Sequence, residues 1–301
     1  MESIRRSDKR TRDRLAGVFL ALLLVIPVTV KGVEPPPWEI DISSKIIPQG
    51  GVGLLRVLGV SGGTLKAAWR EKEVILASNP EKGEWYGFIG VDLKTPPGGY
   101  RVRLEADPSG REAEFEVEVV SKDYGVRRLT LPKKMVDLDA GTLKRVRRES
   151  RVMDRLWNGP YLEPLWRGTF ERPVPGEVVG PFGRRSVIND QERSPHTGVD
   201  LRGEKGTPVR ATNKGKVVLV ADHFFTGGSV VIDHGGGIQS MYFHLDSVAV
   251  KETVVVDKGQ IIGRIGSTGR ATGPHLHWGL RINGARVDPL SLTALSRQLE
   301  E

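Results

Sequence analysis

Residues 259–289 read GQIIGRIGSTGRATGPHLHWGLRINGARVDP, a series of short apolar runs cut by glycine and closed by an Asn283-Gly284 pair. Runs this short and this often interrupted are too brief for amphipathic helices, and they predict β-strands joined by tight turns. Residues 281–287, RINGARV, predict a hairpin, because Asn-Gly readily takes the left-handed backbone of a two-residue turn. Upstream, 206–222 (GTPVRATNKGKVVLVAD) and 228–245 (GSVVIDHGGGIQSMYFHL) repeat the texture, with a second hairpin expected around 235–237. The stretch 170–292 therefore reads as a compact antiparallel β domain. It contains all six histidines of the chain, so any imidazole chemistry belongs there.

Further upstream, 33–126 carries strand-like runs such as GLLRVLGV, TLKAAW, EWYGFIGVDL, YRVRLEA and EAEFEVEVV, separated by SGG, SNPEKG, TPPGG and DPSG. This pattern predicts an antiparallel β-sandwich of immunoglobulin-like type with no cluster of catalytic residue types. Residues 127–169 form a linker, in which 140–156 (AGTLKRVRRESRVMDRL) places Leu143, Val146, Val152, Met153 and Leu156 at near-helical spacing. That helix is expected to pack one face on a domain. Residues 293–301 read as a C-terminal tail. The fold class is all-β, with one helical linker.

The chain opens with Arg5, Arg6, Lys9, Arg10, Arg12 and Arg14, followed by the uncharged run LAGVFLALLLVIPVTV at 15–30. A basic flank before an apolar stretch is the layout of an export signal, so 1–32 is read as a signal sequence or membrane anchor. No small-residue cleavage site comes after it, which leaves both options open. The rest of the chain is then expected in the periplasm or cell envelope, with anchoring in the inner membrane if the segment is retained.

The formal charge of +8 suits an anionic cell wall or membrane surface, and no motif or basic–aromatic platform for nucleic acid accompanies it. The absence of cysteine excludes thiolate metal sites, so a metal must be held by His, Asp or Glu. Three segments offer such groups: SPHTGVDLRG with His196 and Asp200, MYFHLD with His244, and GPHLHWGL with His275 and His277. Two residues apart on a strand, His275 and His277 project from one face. The same alternation predicts His244 on the face opposite Met241, Phe243 and Leu245, alongside Tyr242 and Asp246. Gly198 between His196 and Asp200 argues for an extended segment rather than a zinc-binding helix. Two imidazoles and one carboxylate would leave a tetrahedral metal one open position, which is the catalytic arrangement of zinc.

Taken together, FGRR, NDQERSPHTGVDLRG, GTPVRATNKGKVV, IDHGGG, MYFHL, GSTGRATGPHLHW and NGARVDP resemble the lysostaphin-type (LytM-like) zinc metallopeptidases, which cleave peptide bonds of peptidoglycan. The resemblance spans roughly 170–290. It implies one Zn²⁺ per chain held by His196, Asp200 and His277, with His244 and His275 as the remaining active-site histidines. It also implies an open groove across the metal and peptidoglycan peptide stems as the partner. Which of His244 and His275 acts as base stays open. A non-catalytic relative activating a cell-wall amidase is the alternative, and the five filled positions weigh against it. Among the remaining residues, His234 reads as structural and His223 has no motif support. Phe243, where a smaller residue is common, is expected to alter the groove wall. Asn189 reads as a turn residue, with a regulatory approach to the metal as the other option.

Overall fold

The computed structural model describes residues 38–60, 63–130, 138–160 and 162–300. The export segment expected at 1–32 lies outside them. Among the described residues no helix is long and apolar enough to cross a membrane.

The first part of the chain folds into nine strands: β1 (Glu39–Ile42), β2 (Ile46–Pro48), β3 (Val52–Leu58), β4 (Thr64–Trp69), β5 (Lys72–Val74), β6 (Ala77–Asn79), β7 (Glu84–Gly90), β8 (Gly98–Asp107) and β9 (Arg111–Val120). They form two sheets, ordered β1-β3-β7-β6 and β2-β9-β8-β4-β5. Strand alternation explains the layering. In β8, Val102, Leu104 and Ala106 are buried while Arg101, Arg103 and Glu105 face out. On the outer face Glu114 of β9 pairs with both Arg101 and Arg103. The inward side chains of the two sheets enclose a core that includes Leu55, Val57, Trp69, Ile89, Val102 and Val117.

β3 and β7 are apolar on both faces, and this couples the sandwich to the C-terminal β domain. Their opposite faces carry Leu54, Tyr86 and Phe88, which share a second core with Trp166, Phe170, Ile238, Leu280, Ile282 and Leu292. Trp166 is fully buried at its centre, within 5.3–5.6 Å of the Tyr86, Phe88 and Phe170 rings. At its edge Asp92 accepts from Arg286 through the backbone N–H, Nε and a terminal nitrogen (2.8, 2.9 and 2.6 Å).

β10 (Val126–Leu129) leads to helix α1 (Ala140–Trp157), which Asp139 caps by accepting from Thr142 N. The expected apolar face of α1 packs only in its C-terminal half, since Leu143 in the first turn is exposed. Val152, Met153, Leu156 and Trp157 lie against Met241 and Phe243.

The remainder is β11 (Val178–Gly180), β12 (Arg185–Ile188), β13 (Gln191–Arg193), β14 (Gly198–Arg202), β15 (Pro208–Arg210), β16 (Gly215–His223), β17 (Gly227–Gly235) and β18 (Ile238–Val248). β19 (Val255–Val256), β20 (Ile261–Ile265), β21 (His275–Ile282), β22 (Ala285–Val287) and α2 (Pro289–Leu295) complete it, with a short 3₁₀ turn at Ser296–Leu299 after them. The main sheet runs β11-β14-β21-β18-β17-β16-β19, with β15, β20 and β22 attached at its sides. β10, β12 and β13 form a small separate sheet. Both expected hairpins are present. Asn283 and Gly284 have φ of +51° and +78°, and Gly235, Gly236 and Gly237 are all left-handed. Gly235 also abuts the Glu163 carbonyl so closely that no side chain fits.

Candidate metal centre

Antiparallel pairing of β14, β21 and β18 builds the centre. Asp200 lies directly opposite His277, and His277 directly opposite Phe243, so three side chains form one row across three strands. His196 precedes β14 and enters from the side. The result is a triangle of donor atoms: His196 Nε2 is 3.1 Å from Asp200 Oδ1 and 3.0 Å from His277 Nδ1, and the last two are 3.0 Å apart. Among the described residues this is the one group of three or more such side chains placed to hold a metal ion.

The tautomers are set by the backbone. His196 Nδ1 faces the Pro181 carbonyl at 3.0 Å. A carbonyl only accepts, so Nδ1 carries the proton and the Nε2 lone pair points into the triangle. With Nδ1 of His196 committed to Pro181 O, its Nε2 offers nothing to Asp200 or His277 while the ring is neutral, so the three groups must either share an added proton or bind a cation. A cation relieves all three at once, and bond lengths of about 2.0–2.2 Å to N and O are compatible with a triangle of this size. Without thiolates, this donor set fits zinc. The electrostatics agree. Burial would raise the Asp200 carboxyl, but the two imidazoles hydrogen-bonded to it pull it well below the usual carboxylate range. Burial would lower His196, yet the hydrogen bond and charge of Asp200 outweigh it and the net shift is upward. His277, more deeply buried, is lowered by that burial despite Asp200. The site attracts positive charge.

Close approach tightens the walls. The Phe243 ring stacks on His277 at 5.5 Å and 5° between planes. On another side, a Cβ at Gly198 would come within 2.7 Å of His277 Nε2. A Cβ at Gly180, opposite Asp200 in β11, would sit 2.2 Å from Asp200 Oδ2 and 3.0 Å from its Cβ. Gly180→Ala is therefore expected to push the carboxylate out of the triangle. It should weaken zinc affinity by about 10–100-fold with little change in unfolding midpoint, measured by chelator competition beside urea denaturation. Unchanged affinity would show that the carboxylate does not need this contact.

The other two motif histidines join the centre. The His244 ring lies 4.8 Å from His275 and 6.1 Å from His277, and His275 Nε2 is 3.7 Å from Asp200 Oδ1. His244 Nδ1 donates to the Thr268 carbonyl and His275 Nδ1 to that of Gly273, at 2.9 and 2.8 Å. Each therefore keeps a free Nε2 lone pair. Burial lowers His244 to about 4.

The alternation expected along β18 fails at this point. Tyr242 and Leu245 share the main core, whereas Met241 and Phe243 face α1 on the side of His277. The cause is a break in register between β17 and β18, with His244 in the left-handed region at φ +64° and its N–H bonded to Thr226 O at 2.8 Å. A bulge shifts the pleat by one residue and delivers Phe243 and His244 to the same centre.

His234 is fully buried away from the centre. Its Nδ1 donates to Lys214 O at 2.8 Å and its Nε2 lies 2.7 Å from the Ser240 hydroxyl, which in turn sits 2.9 Å from Tyr242 Oη. Burial lowers it to about 4, against an ordinary value near 6.5. The unfolded chain then takes up the proton first, so this stabilisation is complete above pH 6.5 and is lost as the pH falls through 4. Between pH 7 and 4.5 the loss should be on the order of 2–3 kcal/mol. Urea titrations at both pH values should show a shallower pH slope for His234→Gln than for the wild type. Equal slopes would remove His234 from the account. Asn189 and Asp190, both left-handed, form the turn between β12 and β13. His223 ends β16 beyond the motif contacts.

The groups that sequence reading missed belong to the backbone: the carbonyls of Pro181, Thr268 and Gly273.

Comparison with known proteins gives this geometry a lineage. The family model described as peptidase family M23 matches residues 194–289, which include every motif histidine of the centre. A crystal structure from Pseudomonas aeruginosa described as a peptidase M23 superposes with a TM-score of 0.65 at 33% identity, covering 81% of this chain and 94% of that one. Over 144 residues the chain is 38% identical to the DD-carboxypeptidase/endopeptidase Mpg of Neisseria meningitidis serogroup B, 48% of this chain and 33% of that protein. Over 97 residues it is 42% identical to the peptidoglycan DD-endopeptidase ShyA of Vibrio cholerae serotype O1, 32% of this chain and 23% of that protein. The chain thus spans a third or less of the length of these curated relatives. With the family match over the centre and the likeness to the Pseudomonas structure over most of its length, the chain belongs to peptidase family M23.

Proposed function

We propose that this chain is a zinc-dependent endopeptidase that hydrolyses peptide cross-links of peptidoglycan, with His196, Asp200 and His277 as zinc ligands and His244 and His275 as catalytic residues. The observation that carries this reading is the donor triangle beside two imidazoles whose Nε2 atoms are free. Bound there, zinc supplies Lewis-acid polarisation of the scissile carbonyl and lowers the pKa of water. One of His244 and His275 accepts the proton of the attacking water at Nε2 and passes it to the leaving amine as the carbon–nitrogen bond breaks. The other, when it has taken a proton from solvent at Nε2, donates to the developing oxyanion and returns that proton as the carbonyl re-forms. The carbonyls of Thr268 and Gly273 keep each Nδ1 proton in place, so that Nε2 is the atom of each ring that exchanges a proton.

Arg270 stacks on Phe225 at 4.2 Å, and its backbone N–H bonds Phe225 O, which ties the loop before β21 to the one before β17. The names of the relatives support peptidoglycan as the substrate. The basic flank and apolar run at the N-terminus support export to the periplasm, with retention as an inner-membrane anchor if the run is not cleaved.

Mass spectrometry of muropeptides released from purified sacculi by the zinc-loaded chain tests the reading. Loss of cross-linked dimers with gain of monomers is expected. Zinc binding with no bond cut in any sacculus would sink it in favour of a non-catalytic role.

A further inference from the structure

Ligand His196 owes its placement to a segment that offers no side chain to the metal. Besides Pro181 O on its Nδ1, its backbone carbonyl accepts from Gly183 N–H at 2.8 Å and its own N–H donates to Arg184 O at 3.0 Å. Residues 181–184 therefore fix both the position and the ring orientation of the ligand. The support for 181–184 lies behind them. Phe182 is buried, with the Tyr124 ring edge-on at 5.6 Å and 80°. The Tyr124 ring also lies flush on Gly183, where a Cβ would approach its carbons to 2.3–2.6 Å. The Tyr124 hydroxyl in turn donates to Gln49 O at 2.6 Å.

Gln49 and Gly50 form the turn between β2 and β3 of the sandwich, and that turn is rigid. Gln49 N–H bonds Val120 O and Gly50 N–H bonds Val91 O, each at 2.9 Å, while Gln49 Nε2 donates to Thr95 O at 2.8 Å. Gly50 meets Phe182 and Tyr124 so closely that a Cβ there would lie 2.4 Å from Phe182 Cε1 and 2.7 Å from Tyr124 Oη. A continuous line of short contacts thus runs from the sandwich turn through Tyr124 to His196.

We propose that Tyr124 is a positioning residue for the metal ligand His196, and that through it the N-terminal sandwich sets the metal affinity of the centre. This rests on His196 being a zinc ligand. A ligand ring held in place before binding loses less freedom on binding, and groups that orient a metal's ligands typically alter affinity by about 10–100-fold.

The test uses the purified full chain. Zinc affinity is read by competition with a chromophoric chelator, and the visible spectrum of the cobalt-substituted protein reports ligand geometry. Tyr124→Ala should weaken zinc binding by about tenfold or more, and Tyr124→Phe, which loses only the bond to Gln49, by a few-fold. The cobalt bands should shift in Tyr124→Ala. Tyr86→Ala loosens the same two halves of the molecule at the Trp166 core, away from the Gln49–Tyr124 contact. It should lower Tm while leaving zinc affinity within about twofold, because distant independent sites do not couple. Should Tyr124→Ala fail to fold, Tyr124→Leu is read by the same criteria. The inference is overturned if the Tyr124 variants keep wild-type affinity, or if Tyr86→Ala weakens zinc as much as they do. A wild-type chain that binds no zinc overturns the reading of the centre itself, and the inference with it.

Discussion

His277→Ala is expected to abolish tight zinc binding and to lower peptidoglycan hydrolysis by at least about a thousandfold. His277 Nδ1 stands 3.0 Å from each of the other two donors. Without it, His196 and Asp200 remain as a two-donor site, which loses a divalent ion to competing water and chelator. The ring is also stacked on Phe243 and pressed against Gly198, so its removal leaves a gap and lowers stability as well. Metal content and activity should therefore be read at a temperature where circular dichroism shows the variant folded. Chelation of the wild type should reproduce the loss, with zinc restoring the wild type and not the variant. Hydrolysis that survives chelation in either protein would remove the metal from the mechanism.

His244→Ala should behave differently, retaining one zinc per chain while kcat falls by about 10²–10⁴-fold. The ring lies next to His275 but outside the donor triangle, and its Nδ1 proton is committed to Thr268 O. Its Nε2 is therefore available to a proton in transit rather than to the ion. Burial holds His244 near 4, below the ordinary imidazole value. A base must be unprotonated, so its contribution persists as the pH falls from 7 toward 5 and fails only as the pH drops through 4. The acid limb of kcat/KM contributed by His244 should accordingly lie below pH 6 in the wild type and be absent from the variant. Loss of zinc from His244→Ala would instead make it part of the metal site.

Much of this was legible from residues alone. Glycine-cut apolar runs announced an all-β chain, and Asn283-Gly284 and the 235–237 triplet marked hairpins that the structure contains. The 3.6-residue spacing of Val152, Met153 and Leu156 placed a packed helix where α1 lies. The candidate residues themselves were named from type and motif. Two limits of sequence reading have physical causes. Strict alternation put His244 opposite Phe243 and Leu245 beside Phe243, and both fail because the bulge at His244 resets the pleat and no residue type in SMYFHLD signals it. The pairing of Asp200 with His277, 77 positions apart, depends on strand register, which is set by turns and core packing elsewhere.

Local chemistry by itself therefore determined strand and turn identity, the exclusion of thiolate ligands, and the set of groups able to bind a divalent ion, since these depend on side-chain type and near-neighbour spacing. Tertiary structure alone decided that three of those groups meet within 3.1 Å. It also decided that the carbonyls of Pro181, Thr268 and Gly273 choose each tautomer, and that Tyr124 stands behind His196. Convergence of that kind is made by register and by backbone atoms, which every residue carries alike, and so it leaves no mark in the letters.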